Sequence, residues 1–375
     1  RAPARARRSA VRAAATAAVP AAGGDVTLQA SAKVLTLFGI GAVLQRRGVI
    51  PEDAAKTCSK LLFTTFLPAL YLSRLTPTLA GVSDLVTYAA IPAFALAHIL
   101  TGGLLGFAVS RALGLRGGAA RRVEVACGVH NCTSLPVLLL TSLLGAVEGA
   151  RGVGLLSLYM LVWSPVLWTV GLFHLANYDV ASVTGGKLSP VKLARTVLNP
   201  PLVAAIAAVV IARVPPLASL FVGPAAPLRF VTGAVDSLAE AAVPLSASVL
   251  AWTLAKSGGQ KKQQESDTGA DGGLESDEDG MTARQEKGSY VAVAFVRLVA
   301  APACGLALFR AAEAAGFIPH TDCAFRLLLL LQSAMPSAQN LPTMALLNKK
   351  TEASAAPLAR LMALQYAIAP LPLTL

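Results

Sequence analysis

The sequence has little charge: Asp, Glu, Lys and Arg make up 14% of its 375 residues, where soluble globular domains have about a quarter. Hydrophobic residues account for 55% and are gathered in long apolar runs, and about 20 such residues span a bilayer. Polar helix faces, which a large soluble core requires, are missing. So is the apolar–polar alternation of a transmembrane barrel. The composition therefore predicts an all-α polytopic membrane protein embedded in a lipid bilayer.

The sequence also lacks the spacings that hold metals, cofactors and nucleotides. Its five cysteines form no CxxC pair, and its four histidines show no ligand spacing. The HExxH and Walker A patterns do not occur, and we find no paired catalytic carboxylates and no Ser/His pair at the predicted midplane. We therefore predict no enzyme activity, no metal, no cofactor and no ATP-driven step. The net charge of +12 is spread over basic loops and a basic leader without one clustered face, so we predict no nucleic-acid partner.

The N-terminal region is basic and rich in alanine. Residues 1–27 include five Arg and no acid before Asp25. This composition is typical of an organellar transit peptide, and equally of a disordered basic tail on an endomembrane protein. Both interpretations stay open, and the leader is left out of the fold.

Ten hydrophobic segments follow the leader. They span residues 28–46, 58–78, 85–110, 122–146, 153–176, 194–214, 229–254, 289–312, 324–347 and 357–375. Lys and Arg are concentrated in the loops after the odd-numbered segments, and these residues favour the cytoplasm. The alternation predicts about ten transmembrane helices with both chain ends on the non-cytoplasmic side.

The segments divide into two halves of five. Residues 28–178 form the first predicted repeat, 179–193 a short cytoplasmic loop, and 194–375 the second repeat. Residues 257–288 interrupt the second repeat with a Gly-, Gln- and acid-rich stretch, which predicts a disordered cytoplasmic loop.

Four prolines place the halves in register. Pro68 and Pro136 are 68 positions apart and Pro244 and Pro342 are 98 apart. The excess of 30 is close to the length of the acidic loop. Because each half has five spans, the halves are opposite in orientation, as in inverted-repeat transporters.

Segments four and nine contain the polar residues that could bind a substrate. "HNCTSLPVLLLTSLLG" at 130–145 and "SAQNLPTMALLN" at 337–348 set amides, hydroxyls and proline inside apolar runs. Proline breaks a helix, and a break in the membrane survives only inside protein or beside water. We therefore predict two Pro-broken helices, 4 and 9, that cross near the bilayer midplane.

The half-helix N-termini at such a crossing have partial positive charge and free N–H groups. With neutral amides nearby they suit a small organic anion, and we expect no buried fixed charge. The alternative is that these polar residues only hold the helices together. The candidate substrate-binding residues are Asn131, Thr133, Ser134, Pro136, Gln339, Asn340, Pro342 and Thr343.

These same stretches resemble a known family. "FRLLLLLQSAMPSAQNLPTM", residues 325–344, is similar to the ninth-helix signature of the auxin efflux carrier superfamily, FR-x-x-LLLQ-x-x-x-P-x-x-x-N-x-x-TM. "LNPPLVAAIAAVVI", from Leu198, resembles its sixth helix. The similarity covers about residues 30–375 and is greatest to the PIN-LIKES branch. Thr133 and Ser134 stand where the family has Gly and Asn, and Pro342 where it usually has Gly.

The resemblance implies an elevator-type carrier with the bile-acid/sodium-symporter-like, NhaA-like fold. Segments three to five and eight to ten would move against a scaffold of segments one, two, six and seven. It implies indole-3-acetate or a related anion as substrate, an endoplasmic reticulum location and, by analogy, a homodimer. The leader favours the plastid envelope instead. A carrier of another small carboxylate and a non-transporting membrane receptor stay open as alternatives.

Overall fold

The computed structural model describes most of the chain after the leader. The described residues are 29, 32, 36–37, 39–51, 53–81, 86, 88–132, 134–179, 198–267, 281–319 and 322–369. The predicted leader, Thr133, most of the predicted loop at 179–193 and the centre of the acidic stretch lie outside these residues.

The described residues are helical almost throughout. In chain order the helices are α1 (Ala54–Leu61), α2 (Leu67–Gly81), α3 (Ala90–Ala112), α4 (Gly117–Gly128), α5 (Leu135–Gly145), α6 (Val147–Leu175), α7 (Pro200–Arg213), α8 (Pro215–Phe221), α9 (Arg229–Asp267), α10 (Ala283–Phe295), α11 (Ala301–Ala314), α12 (Cys323–Ser333), α13 (Leu341–Leu346) and α14 (Ala355–Ile368). In this part of the chain the β pairing amounts to one isolated bridge. The all-α prediction is confirmed for the described residues.

By length and composition, four helices can cross a membrane. They are α3, α6, the Arg229–Lys256 part of α9, and the continuous Arg284–Ala314 helix formed by α10 and α11. Helices α7 and α8 meet at 104° and make a fifth if they count as one broken span. Predicted spans four and nine are each divided into two short helices, α4 with α5 and α12 with α13. The total of ten spans therefore stays a prediction.

Local sequence explains where several helices begin. The Asn199 side chain accepts a hydrogen bond of 3.0 Å from Leu202 N at the start of α7, and prolines occupy the first positions of that helix. Asp322 accepts from Phe325 N at 3.0 Å at the start of α12. Such caps satisfy amide groups that have no partner within the helix.

The acidic stretch differs at its edges from the predicted disorder over 257–288. Helix α9 continues to Asp267, because Lys, Gln and Glu favour a helix. On the far side, Thr282 and Gln285 form a capping box that begins α10 at Ala283. Residues 268–280, between these two helices, lie outside the residues that the structure describes.

The helices pack in two groups. Helix α2 packs mainly on α7 and α9, and α1 packs on α9. Helices α3 to α6 pack with α11 and α12, and α10 and α13 pack on α14. The two groups touch where α2 meets the α5–α6 region, where α9 meets α14, and where α1 meets α13.

Glycines set the close approach of α3 and α4. A Cβ atom added at Gly102 would lie 2.3 Å from the carbonyl oxygen of Cys127, and one at Gly106 would lie 2.8 Å from Cys127 Cβ. A Cβ at Gly103 would meet nothing within 4 Å. Only a residue without a side chain fits at the first two positions, as is common where membrane helices approach closely.

We expect Gly102→Ala to destabilise the protein, because α3 must move away from the end of α4. Overpacking of this kind costs about 1–3 kcal/mol, and a thermal unfolding scan of the detergent-solubilised chain measures it. Gly103→Ala is the matched control and should leave the midpoint unchanged or slightly higher, because Ala favours a helix. Equal effects of both changes would contradict the packing described.

Candidate functional site at the helix crossing

The two broken segments meet side by side. After α4 and after α12 the chain becomes extended, and His130 pairs with Ser337 in an antiparallel bridge. Asn131 N donates to Pro336 O at 2.7 Å, and Ala338 N donates to Val129 O at 2.9 Å. The backbone groups freed by each break are therefore satisfied by the other break, as a buried site requires.

The prolines do not make the breaks. Pro136 lies in the first turn of the helix that follows the first break, and Pro342 is the second residue of α13. The N–H that proline lacks has no helical partner at these positions, so proline is tolerated there. The interpretation of proline as the helix breaker is wrong in this detail, since the extended segments before the prolines form the breaks.

Arg297 lies at the centre of the crossing. Its side chain is buried, with the residue 1% exposed. Nη1 donates to Cys127 O at 3.1 Å, while Nε and Nη2 donate to Met335 O at 3.1 and 2.6 Å. One planar guanidinium thus holds together a carbonyl in the last turn of α4 and a carbonyl of the segment that directly follows α12.

The helix dipoles explain this arrangement. Each helix C-terminus has roughly half a negative charge on its unsatisfied carbonyls. The two C-termini that converge here would repel each other without a cation between them. The expectation that the site contains no buried fixed charge is therefore wrong.

Arg297 sits on a π turn, Val296–Ala300, between α10 and α11. The N–H of Ala301 bonds to the carbonyl of Val296 five residues back, and Pro302 follows without an N–H of its own. A similar turn, Leu62–Phe66, precedes Pro68. Such turns add one residue to the helix and are frequent at functional sites.

A second buried network comes from α14. Gln365 Oε1 accepts from Ser337 N at 2.9 Å and from Ser337 Oγ at 3.0 Å. Tyr366 OH accepts from Asn131 Nδ2 at 2.8 Å and donates to Ser337 O at 3.0 Å. These bonds tie both extended segments to one helix.

A third group of polar side chains lies on the other side of the crossing. Tyr159 OH is 2.8 Å from His130 Nε2 and 3.0 Å from His98 Nδ1. All three side chains are buried. The phenol of Tyr159 thereby joins α3, α6 and the crossing segment in one hydrogen-bonded chain.

The structure places most of the predicted site residues at this crossing. Asn131 is 1% exposed and makes the bonds described above. Gln339 Nε2 donates to Ser246 Oγ of α9 at 2.5 Å, which connects the crossing to the other helix group. Asn340 is buried and does not cap α13, and its side-chain amide has no hydrogen-bond partner among the described residues.

The other predicted residues contribute less. Thr343 is fully buried, and its Oγ1 has no partner among the described residues. Pro136 and Pro342 are buried in the helix starts. Ser134 begins the helix after the first break, but its side chain, like all of Thr133, lies outside the description.

Several site residues were missed at the sequence level. The most informative of these is Arg297, a single charged residue within an apolar run. An ionisable residue inside the membrane marks a functional site by default, so its position alone could have identified it. Tyr159 and Tyr366 gave no comparable signal. Among the described residues, no group of three or more His, Cys, Asp or Glu could hold a metal ion.

We expect Gln365→Leu to lower the free energy of unfolding by about 1–3 kcal/mol, because it leaves the buried Ser337 N–H without an acceptor. Gln332→Leu is the matched control. Gln332 is equally buried and lies beside His130, but no hydrogen bond of ordinary geometry joins its side-chain amide to the described residues, so its loss should cost less. Thermal unfolding of both variants tests this, and the opposite order would contradict the network.

Comparison with known proteins gives the family of the chain. The family model described as "Membrane transport protein" matches residues 26–375. Protein PIN-LIKES 7 of Arabidopsis thaliana is 24% identical over 367 residues, which cover 84% of this chain and 87% of that protein. Protein PIN-LIKES 3 of the same organism is 24% identical over 366 residues, with 83% and 86% covered.

A further relative matches more closely over a shorter stretch. Protein PIN-LIKES 2 of Arabidopsis thaliana is 30% identical over 142 residues, which are 38% of this chain and 26% of that protein. The family is one of membrane transporters rather than of enzymes, which agrees with the apolar helices of an integral membrane protein. The chain therefore belongs to the Membrane transport protein family, that of the auxin efflux carriers, and has PIN-LIKES proteins among its relatives.

Proposed function

We propose that this protein is a secondary transporter of auxin-like organic anions, with indole-3-acetate as the first candidate substrate. The observation that supports this most is the buried charge of Arg297 at the crossing. Asn340 is buried in the second crossing segment, and its side-chain amide has no hydrogen-bond partner among the described residues. Neither group is satisfied by a carboxylate of the protein within the described residues.

An anion would interact favourably with both the Arg297 guanidinium and the Asn340 amide. Burying an ionised group without a counter-charge is costly, so a negative ligand at the crossing lowers the energy of the guanidinium. An amide N–H₂ donates to a carboxylate oxygen, and hydrogen bonds to charged groups are worth about 1.5–3 kcal/mol. A neutral ligand would satisfy only the amide.

We propose elevator-type alternating access between two inverted five-helix repeats, with the α3–α6 and α10–α14 group moving against the α1, α2 and α7–α9 group. The boundary between the groups supports this. An open hollow of about 500 Å³ lies between α2 and α6. It marks the boundary between the groups and is not lined by the crossing residues. Gln339 donates to Ser246 across the boundary at the crossing, and Lys56 pairs with Glu352 across it at 2.6 Å; such a motion would break both contacts.

The driving force in this proposal is the membrane potential, because each complete transport cycle moves one negative charge across the membrane. One charge gains about 2.3 kcal/mol per 100 mV, which is enough for a uniporter without a coupling ion. We propose the endoplasmic reticulum as the membrane, on the resemblance to the PIN-LIKES branch, and a homodimer through the scaffold helices by analogy. The plastid envelope is the second candidate location because of the basic leader.

The second candidate function is transport of a different small carboxylate. Thr133, Ser134 and Pro342, which differ from the family pattern, all belong to the crossing segments, so these substitutions would change the substrate before they change the mechanism. A receptor that binds the anion without moving it is the third candidate.

Uptake of radiolabelled indole-3-acetate and a panel of other carboxylates into proteoliposomes tests the function. We expect potential-dependent uptake that falls about tenfold or more in Asn340→Ala, the loss of one hydrogen bond to a charged ligand. Asn348→Ala is the matched control, because this Asn follows α13 and its side chain accepts from Lys350 N. It should transport normally.

The outcomes separate the candidates. Uptake of another acid alone would retain the mechanism and reject the substrate. Saturable binding of indole-3-acetate with no flux of any acid would favour the receptor. Equal losses in the two Asn variants would contradict the placement of the site at Asn340.

The location is tested by residues 1–30 fused to a fluorescent reporter. If the protein resides in the endoplasmic reticulum, as proposed, we expect the fusion not to enter plastids. Import of the reporter into plastids would overturn that location and favour the envelope. The full-length chain tagged at its C-terminus is the control, since its own distribution must agree with the membrane assigned.

A further inference from the structure

We infer that the charge of Arg297 makes the return of the empty carrier, and not the passage of the loaded carrier, the step that responds to membrane potential. This inference rests on the proposed transport function and assigns a role to one residue within it. It concerns which half of the transport cycle moves charge across the bilayer.

The crossing has one positive charge that no carboxylate of the described residues neutralises. An Arg guanidinium stays protonated in proteins, and among the described residues this one bonds to the backbone carbonyls of Cys127 and Met335. The side chains that interact with it electrostatically include Cys127, Tyr159 and Tyr366, which are neutral at neutral pH. The histidines at 98 and 130 can only add positive charge.

The closest acidic residue along α4 is already engaged. Glu124 lies three positions before Cys127, accepts from Ser110 Oγ at 2.9 Å, and lies 2.7 Å from His174 Nε2. No ion pair joins it to Arg297 among the described residues, and its partners lie in the last turns of α3 and α6. Its charge therefore lies level with the end of the helix group and is not counted in the crossing. The other ion pairs of this helix group join residues of the group's ends, such as Arg326 with Glu313 and Lys350 with Asp179.

In the proposed motion, the charge of Arg297 moves together with the crossing. Arg297 lies between α10 and α11, and the carbonyls it holds belong to α4 and to the segment after α12. All of these belong to one packing group. If that group moves as a body, then the guanidinium moves with the crossing and with whatever the crossing binds.

The net charge of the crossing depends on whether an anion is bound. The helix dipoles add local potential but no net charge, so the empty crossing has a charge of +1 and the crossing with one monovalent anion has a charge of 0. A neutral body moves through the potential without electrical work. A singly charged body that crosses the full potential gains or loses a factor of about fifty in equilibrium per 100 mV.

Net uptake and exchange separate the two steps. Net uptake requires the carrier to return empty, whereas exchange of labelled for unlabelled indole-3-acetate at saturation uses only the loaded carrier. Proteoliposomes with the full chain, and a potassium gradient with valinomycin to set the potential between −100 and +100 mV, allow both to be measured in one preparation. We expect net uptake to change at least fivefold over this range and exchange to change less than twofold.

Two variants test the residue itself. Arg297→Lys retains the charge and should retain voltage-independent exchange even if it is slower. In Arg297→Gln the loaded carrier has a charge of −1 and the empty one is neutral, so exchange should become voltage-dependent. The wild-type comparison alone remains decisive if Arg297→Gln fails to fold.

The results that would overturn the inference differ from those that would overturn the function. Wild-type exchange as voltage-dependent as net uptake would mean that the loaded carrier is charged. If neither net uptake nor exchange depended on the membrane potential, the empty carrier would not be charged. Neither result would affect the proposed transport of an anion, whereas absence of both fluxes would reject the transport function and the inference with it.

Discussion

The site depends on one guanidinium that holds two helix ends together. Two half-helices end at the same point in the interior of the protein, and their last carbonyls would repel each other there. Arg297 bridges Cys127 O and Met335 O and removes that conflict. Its own charge is then left without a protein carboxylate among the described residues, and an anionic ligand is the simplest partner for it. The same residue therefore stabilises the crossing and, in the function proposed above, favours an anion as what the crossing binds.

The surrounding elements position Arg297 and the two carbonyls that it contacts. The π turn Val296–Ala300 places Arg297 in its helix, and Gly102 lets α3 pack directly on the carbonyl of Cys127 that the guanidinium also contacts. Helix α14 ties both extended segments together through Gln365 and Tyr366. Extended backbone, which is costly in a membrane, is tolerated here because Asn131 and Ala338 bond to the opposite segment and Ser337 bonds to α14.

Much of the architecture followed from the sequence, because apolar runs and low charge leave few alternatives to membrane helices. The family and the two segments that break were found from short motifs, and Asn131 and Asn340 do lie in those segments. Arg297 was not found, because it lies in the apolar run "VAVAFVRLVAAPACG" and its partners are 170 and 38 residues away in the chain. The role of Pro136 and Pro342 was misjudged because a motif shows that proline is present, but not on which side of the break it lies.

The most direct measurement of the central claim compares an acid with its neutral amide on the purified protein. Indole-3-acetate and indole-3-acetamide have nearly the same size and ring, but only the acid is an anion at neutral pH. We expect the acid to raise the thermal midpoint of the detergent-solubilised chain in a saturable way and the amide to have little effect, because only the acid neutralises Arg297. Equal stabilisation by both compounds would contradict an anion site at the crossing.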